Sequence, residues 1–303
     1  MLISIVVPVY NEEESIGLLY EEIREVEKRY SYDFEIIIVD DGSRDNTQKV
    51  VREFKNSKVI TLRRNYGQSA AMTVGLQNAS GEYVIFMDGD GQNSPSDIPT
   101  MLEKFQNEGL DLLCGWRATR RDPFMKKFLS QGARILRSYF LKDFIHDSGC
   151  TLKIAKSSSI REIDIRGELH RFIPALMVME GFSVSEIVVS HRPRVHGKTK
   201  YNWRRIPKGF LDILNVWFWS KFKLRPFHFF GGVAFAMFFL GIVLGLIAVI
   251  LYLSDQLIFR NVLPIITMML FLSGIQFLIL GIIADSFSRL VKEEYASDRY
   301  QTK

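Results

Sequence analysis

The chain has 303 residues, 47% of them hydrophobic, and a net charge of +5. That length suits one or two domains, and so modest a charge gives no reason to expect nucleic acid as a partner. The two cysteines, Cys114 and Cys150, exclude a disulfide framework and have no metal-site spacing.

Ile3–Val9 reads as a strand. It is too short for a signal peptide, has no basic leader and carries Pro8. Glu13–Tyr30 predicts a charged surface helix, and Phe34–Val39 an apolar strand that runs into Asp40-Asp41-Gly42-Ser43. Thr47–Phe54 is helical, Lys58–Leu62 a strand, Gly67–Asn78 a helix and Tyr83–Met87 a strand. Pro95 starts a helix over Ser96–Asn107, and Leu110–Gly115 is a further strand. Strands alternating with helices predict an α/β fold with a mostly parallel, doubly wound sheet. Ligands of such sheets sit beyond the carboxyl ends of the strands.

Polar clusters fall at those ends. Tyr10-Asn11-Glu12 follows the first strand and Asp40-Asp41 the second, while Asp88-Gly89-Asp90-Gly91-Gln92 follows Val84-Ile85-Phe86-Met87. Residues two apart in a strand point the same way, so Asp88 and Asp90 are expected to share one side of the strand mouth. Paired hard oxygen donors suit Mg²⁺ or Mn²⁺, which bind through one or two carboxylates plus substrate phosphates. An acidic turn after a core strand is the plain alternative. A nucleotide would use the whole rim, with groups near Pro8 and Asp40 on base and ribose and the metal carboxylates on the diphosphate. No Gly-x-Gly-x-x-Gly and no P-loop is present, which argues against dinucleotide oxidoreductases and P-loop ATPases.

Farther on, Pro123–Lys142 has apolar residues at helical spacing, with Lys126, Lys127, Arg134 and Arg137 on other faces. Trp203–Lys223 repeats the pattern and leads into an apolar run. Helices of this kind lie in the headgroup plane; packing on the sheet is the alternative. Arg117 and Arg134, with Lys198 and Lys200 in a Gly-containing cationic loop, suit a phosphate, and a solvated surface is the plain alternative. Phe229–Leu253 and Asn261–Ala284 carry no Asp, Glu, Lys or Arg, and each exceeds the roughly 20 residues that cross a bilayer. Lys221, Lys223 and Arg225 flank one side, and Arg289 and Lys292 the other. By the positive-inside rule the termini and everything before residue 226 are cytoplasmic, in a multi-pass protein of the cell membrane. The expected organisation is an α/β domain over 1–202, an interface helix over 203–225, a two-helix hairpin over 226–290 (spans near 229–253 and 262–284) and a tail over 291–303. Glycines 231, 232, 241, 245, 274 and 281 permit close helix packing, within the hairpin or between protomers of a homo-oligomer.

Pro8-Val9-Tyr10-Asn11-Glu12, Val39-Asp40-Asp41-Gly42-Ser43, Arg64-Asn65-Tyr66-Gly67 and Asp88-Gly89-Asp90-Gly91-Gln92 resemble glycosyltransferase family 2. Gly167–Leu176 and His191–Tyr201 resemble its polyprenyl-phosphate branch, which includes dolichyl-phosphate mannose synthase and bactoprenol glucosyltransferases. The resemblance covers essentially the whole chain. It implies a GT-A fold, a nucleotide-sugar donor, a divalent metal and a polyprenyl phosphate acceptor. It places Pro8, Tyr10, Glu12 and Asp40 in the base and ribose pocket, Asp88 at the ribose or metal, and Asp90 and Gln92 on the metal. Arg194 falls on the donor diphosphate or the acceptor phosphate. The catalytic set is then Asp90, Arg194 and Arg117. Where many relatives carry a Glu-Asp pair as base, this chain reads Glu168-Leu169-His170, so no base carries over.

A lipid monophosphate has a second pKa near 6 and is already a nucleophile at neutral pH. The expected reaction is inverting transfer of one sugar from UDP-glucose or GDP-mannose. Two alternatives were a processive polysaccharide synthase and a non-catalytic nucleotide-binding membrane scaffold. The first generally carries a Gln-x-x-Arg-Trp motif and more spans, neither of which is found. Two spans without buried charge are few for a pore.

Overall fold

A computed structural model of the chain describes residues 1–118, 136–138, 140–141, 144–165, 167, 169–192, 205–222, 225–253 and 262–300. These form two compact units, Met1–Val216 and Trp217–Lys303.

The first unit is built on a seven-stranded sheet of order β3-β2-β1-β4-β6-β5-β7. Its strands are β1 (Leu2–Val9), β2 (Asp33–Asp40), β3 (Ser57–Thr61), β4 (Tyr83–Phe86), β5 (Leu112–Trp116), β6 (Lys153–Lys156) and β7 (Val184–Val188). β1, β2, β3 and β4 run parallel, so their carboxyl ends share one edge, as the alternating pattern predicts. β6 is antiparallel to both β4 and β5, and β7 returns parallel to β5. The helices are α1 (Ile16–Tyr30), α2 (Thr47–Arg52), α3 (Gln68–Gln77), α4 (Ile98–Asn107), α5 (Ser157–Ile160) and α6 (Ile173–Met179).

Strand alternation sorts them into two layers. Ile3, Ile5, Val7 and Val9 of β1 face a core shared with α1, α2 and α4. Val6 of β1, Ile37 and Val39 of β2 and Phe86 of β4 face a second core with α3, α5 and α6. Both faces are covered, so β1, β2 and β4 read as nearly unbroken apolar runs.

The second unit opens inside α7 (Arg205–Phe222) and continues through α8 (Pro226–Leu253) and α9 (Val262–Tyr300). Pro226–Leu253 and Val262–Arg289 are each long and apolar enough to cross a membrane, and only 11% of either most apolar window is buried. Their exposed residues are Phe, Leu, Ile, Val and Met, the inverse of a soluble surface. Four of the glycines seat the two helices on each other. A Cβ on Gly274 would lie 2.5 Å from Phe238, and Gly281, Gly241 and Gly245 abut Phe230, Phe271 and Thr267. α9 stays helical through Tyr300.

Candidate active site

The site is the carboxyl edge of β1, β2 and β4. Backbone amides and short side chains shape it before any ligand does. Asp41 receives the amides of Tyr66 at 2.7 Å and Gly67 at 2.8 Å, which pins the Arg64–Gly67 loop in front of α3. Gly42, at φ +71°, is required there because a Cβ would stand 2.6 Å from the backbone of Arg64. Asn11 latches the first loop to this one: its amide donates to Ser43 Oγ at 2.9 Å and its Oδ1 accepts from the amide of Arg44 at 2.8 Å.

Asp40 closes β2 and is fully buried. Its Oδ1 accepts from the amide and hydroxyl of Ser43, while its Oδ2 is buried with no protein partner. A buried carboxylate oxygen is costly unless a donor meets it, so Asp40 is built to receive one. Pro8 is buried in β1 beside Val39. Tyr10 is exposed, and Glu12 holds Ser15 Oγ at 2.8 Å while Ser15 Oγ also donates to the carbonyl of Gly89 at 3.0 Å. The loops after β1, β2 and β4 are thereby tied together.

β4 stops at Phe86, so Asp88 and Asp90 stand on a turn and not on a strand mouth. The turn, and not strand alternation, sets their positions. Gly89 lets that turn lie against β1, since a Cβ would sit 2.5 Å from Val9 Cγ1. Asp88 accepts from Gln68 Nε2 at 2.6 Å and from Thr151 Oγ1 at 2.7 Å, one bond to each oxygen. Burial, and then the carboxylate of Asp90, push the Asp88 carboxyl up to about 6, with Thr151, Lys153 and Arg117 opposing. Asp90 accepts from the amide of Gln92 at 3.1 Å. Two carboxylates whose charges repel across a half-buried turn fit a divalent cation. Among the described residues no three His, Cys, Asp or Glu side chains converge as a metal cage, which suits a site completed by substrate oxygens.

Arg117, expected as a phosphate ligand, closes a bidentate pair with Asp147 at 2.6 and 3.0 Å. Burial opposes both charges, but the pair prevails: Arg117 is held protonated and the Asp147 carboxyl is held below its usual range. Arg134, Arg194, Lys198 and Lys200 lie outside the described residues, as does most of the helix expected over 123–142.

The model described as Glycosyl transferase family 2 matches residues 4–163. The chain belongs to glycosyltransferase family 2. A dodecaprenyl-phosphate galacturonate synthase of Rhizobium johnstonii is 39% identical over 98% of this chain and 91% of its own length. An undecaprenyl-phosphate 4-deoxy-4-formamido-L-arabinose transferase of Proteus mirabilis is 31% identical over 98% and 92%. Among solved structures, mannosyl-3-phosphoglycerate synthase of Rubrobacter xylanophilus aligns at TM-score 0.57 and 15% identity, over 72% of this chain and 73% of that one. A glucosyl-3-phosphoglycerate synthase of Mycobacterium tuberculosis, crystallised with Mn²⁺ and UDP-glucose, aligns at TM-score 0.55 and 17% identity, covering 71% and 78%. Those two likenesses establish the GT-A fold.

Three residues of this family 2 glycosyltransferase escaped the sequence reading. Gln68 and Thr151, which hold Asp88, come from α3 and from the approach to β6, 20 positions before and 63 after it in the chain. Asp147, which pairs with Arg117, stands 30 positions beyond it. Polar types at helix and strand starts carry no mark of a distant partner, so only the fold reveals them. His170 is buried and joined through Nδ1 to Ser69 Oγ at 2.7 Å, which makes it an orienting group on α3. Burial, then Arg171 and Lys153, lower its pKa to about 3.

Proposed function

We propose that this glycosyltransferase moves one sugar from a nucleotide-sugar onto the phosphate of a polyprenyl phosphate at the cytoplasmic face of the membrane. The observation that carries the reading is the pairing of opposite charges at one strand end. The Asp90 carboxylate raises the Asp88 carboxyl, and Arg117 opposes that rise. A cation site beside a cationic group suits a reaction that brings two phosphate-bearing substrates together. Two relatives that match nearly the whole chain support the acceptor: their names differ in sugar and share a polyprenyl phosphate.

Asp40, with its unmatched oxygen, takes the nucleoside along with Pro8, Tyr10 and Glu12. Asp88, Asp90 and Gln92 would hold Mg²⁺ or Mn²⁺, which would supply positive charge to the departing diphosphate. Arg117, Arg134, Arg194, Lys198 and Lys200 offset the repulsion between the two substrates. The ionised acceptor phosphate attacks the anomeric carbon in line, its oxygen forming the new bond as the bond to the nucleoside diphosphate breaks, so the configuration inverts. No side-chain base is needed, because the acceptor arrives deprotonated; the protein positions. α8 and α9 anchor the enzyme as a hairpin with both ends cytoplasmic, given the Lys and Arg of its flanks.

The relative at 39% identity directs the choice of sugar to galacturonate, ahead of the UDP-glucose and GDP-mannose suggested by the branch. The test is transfer of radiolabel from UDP-galacturonate, UDP-4-deoxy-4-formamido-L-arabinose, UDP-glucose and GDP-mannose to undecaprenyl phosphate, with and without Mn²⁺. A mild-acid-labile lipid bearing a single sugar is expected. Label in a long glycan would make it a synthase, and no labelled product from any donor would overturn the reading.

A further inference from the structure

Lys153 lies in the middle of the sheet, in register with Phe86 of β4 and Cys114 of β5, both fully buried. It is itself 2% exposed. Its ammonium donates to two carbonyl oxygens, those of Ser148 (3.3 Å) and Cys150. No carboxylate lies within ion-pair distance of it among the described residues. A buried cation without a carboxylate is unfavourable, and an uncharged side chain of similar length would fill that apolar row without the penalty. The lysine therefore calls for an explanation that packing does not supply.

The turn it grips, Asp147–Cys150, gathers the cations of this corner. Asp147 holds Arg117 by two bonds, and Ser148 Oγ accepts from Arg137 Nη1. Three cations thus meet one turn, whose own carboxylate is Asp147. The charge of Lys153 is felt at both Asp147 and Asp88. Once the proposed cation offsets Asp88 and Asp90, three cations against the single carboxylate of Asp147 leave positive charge in excess, which a phosphate anion balances.

We propose that Lys153 is a positioning residue for the acceptor phosphate. It fixes the turn that orients Arg117, and it adds a desolvated positive charge beneath the place where the phosphate sits. The inference rests on the acceptor reading above. It goes further by assigning a role to a residue that cannot reach solvent and that acts through the turn and through Arg117.

The experiment measures binding to the full-length protein in detergent micelles, using farnesyl phosphate as the acceptor probe and UDP with Mn²⁺ as the donor-side probe. Lys153→Met is expected to weaken farnesyl phosphate by about tenfold, the effect of one unit charge at roughly 12 Å with an effective dielectric of about 20. UDP–Mn²⁺ binding is expected to change less than farnesyl phosphate binding, and the melting temperature to fall in Lys153→Met, which leaves two buried carbonyls without their donor, and to recover in Lys153→Gln. Lys153→Gln keeps a donor for the two carbonyls and removes the charge, and it is expected to lose most of the same affinity. Wild-type farnesyl phosphate affinity in Lys153→Gln, or failure of both variants to fold, overturns the inference. Absence of farnesyl phosphate binding to the unsubstituted protein overturns the acceptor reading itself, and so is told apart from failure of the Lys153 role alone.

Discussion

The end of β2 offers Asp40 and Asp41, and the end of β4 offers Asp88 and Asp90, on either side of β1. The first pair is adjacent in sequence and splits in space. Asp41 turns to two backbone amides and is spent on the loop before α3, while Asp40 turns inward with one oxygen unmatched. The second pair is spaced by one glycine on a single turn, and the charge of Asp90 is felt at Asp88. Adjacency gives one scaffold carboxylate and one binding carboxylate; spacing by one gives a shared ligand position. The two ends are also strapped together. Gly67 donates to Asp41, Gln68 to Asp88, and Ser69 meets His170, so three successive residues at the start of α3 join both pairs to the 169–172 turn.

The sharpest way to break this comparison is at the converging pair. Asp90→Asn removes one of the two charges that call for a cation. Transfer is expected to fall by roughly 10²–10³-fold, the scale of several kcal/mol of lost charge stabilisation, with a steeper Mn²⁺ requirement. Rates over a Mn²⁺ titration decide it, and an unaltered metal dependence would remove Asp90 from the ligand set.

The splitting pair predicts opposite behaviour from one chemical change. Asp40→Asn is expected to weaken nucleotide binding by about 10–100-fold, the value of a hydrogen bond to a charged group. Its melting temperature should hold or rise, because an unmatched buried oxygen loses its charge. Asp41→Asn leaves one oxygen to serve two amides, so about 1.5 kcal/mol of stability should go, with nucleotide affinity less affected. Calorimetry together with UDP and GDP titrations separates the two variants. Equal responses would mean that Asp41 and Asp40 share one role.

Most of the parallel sheet was legible because its signals are local. Apolar runs in β1, β2 and β4 end in polar clusters, and α1 and α4 show a clear apolar stripe. The antiparallel return was not legible. β6 reads Lys153-Ile154-Ala155-Lys156, and alternation alone would have turned Lys153 to solvent, whereas β6 sits between β4 and β5 and buries it. At the site, Asp40, Asp88 and Asp90 stood out as carboxylates that follow apolar runs. Their holders Gln68, Thr151 and Ser43 did not, because an amide or hydroxyl declares itself only through the partner that the fold brings to it. Arg117 is recognisable as a cation near the site, but its partner Asp147 lies 30 residues away and nothing local joins the two.

The smallest expected effect tests the strap. His170 is buried and neutral, with a pKa of about 3 against an ordinary 6.5. Its backbone amide donates to Ser69 Oγ at 3.2 Å, which leaves the hydroxyl hydrogen of Ser69 for His170 Nδ1 and the ring proton on Nε2. A group whose folded pKa is depressed adds stability that is complete above its unfolded pKa and is lost as the pH falls toward the folded one. Stability should therefore drop as pH falls below 6.5, by about 1.4 kcal/mol at pH 5.5. The melting temperature measured from pH 7.5 to 5.5 should decline, and His170→Asn should flatten that decline because its amide does not titrate. If the two proteins share one slope, His170 is not the titrating group, and the strap joining the two acidic ends does not depend on a neutral ring.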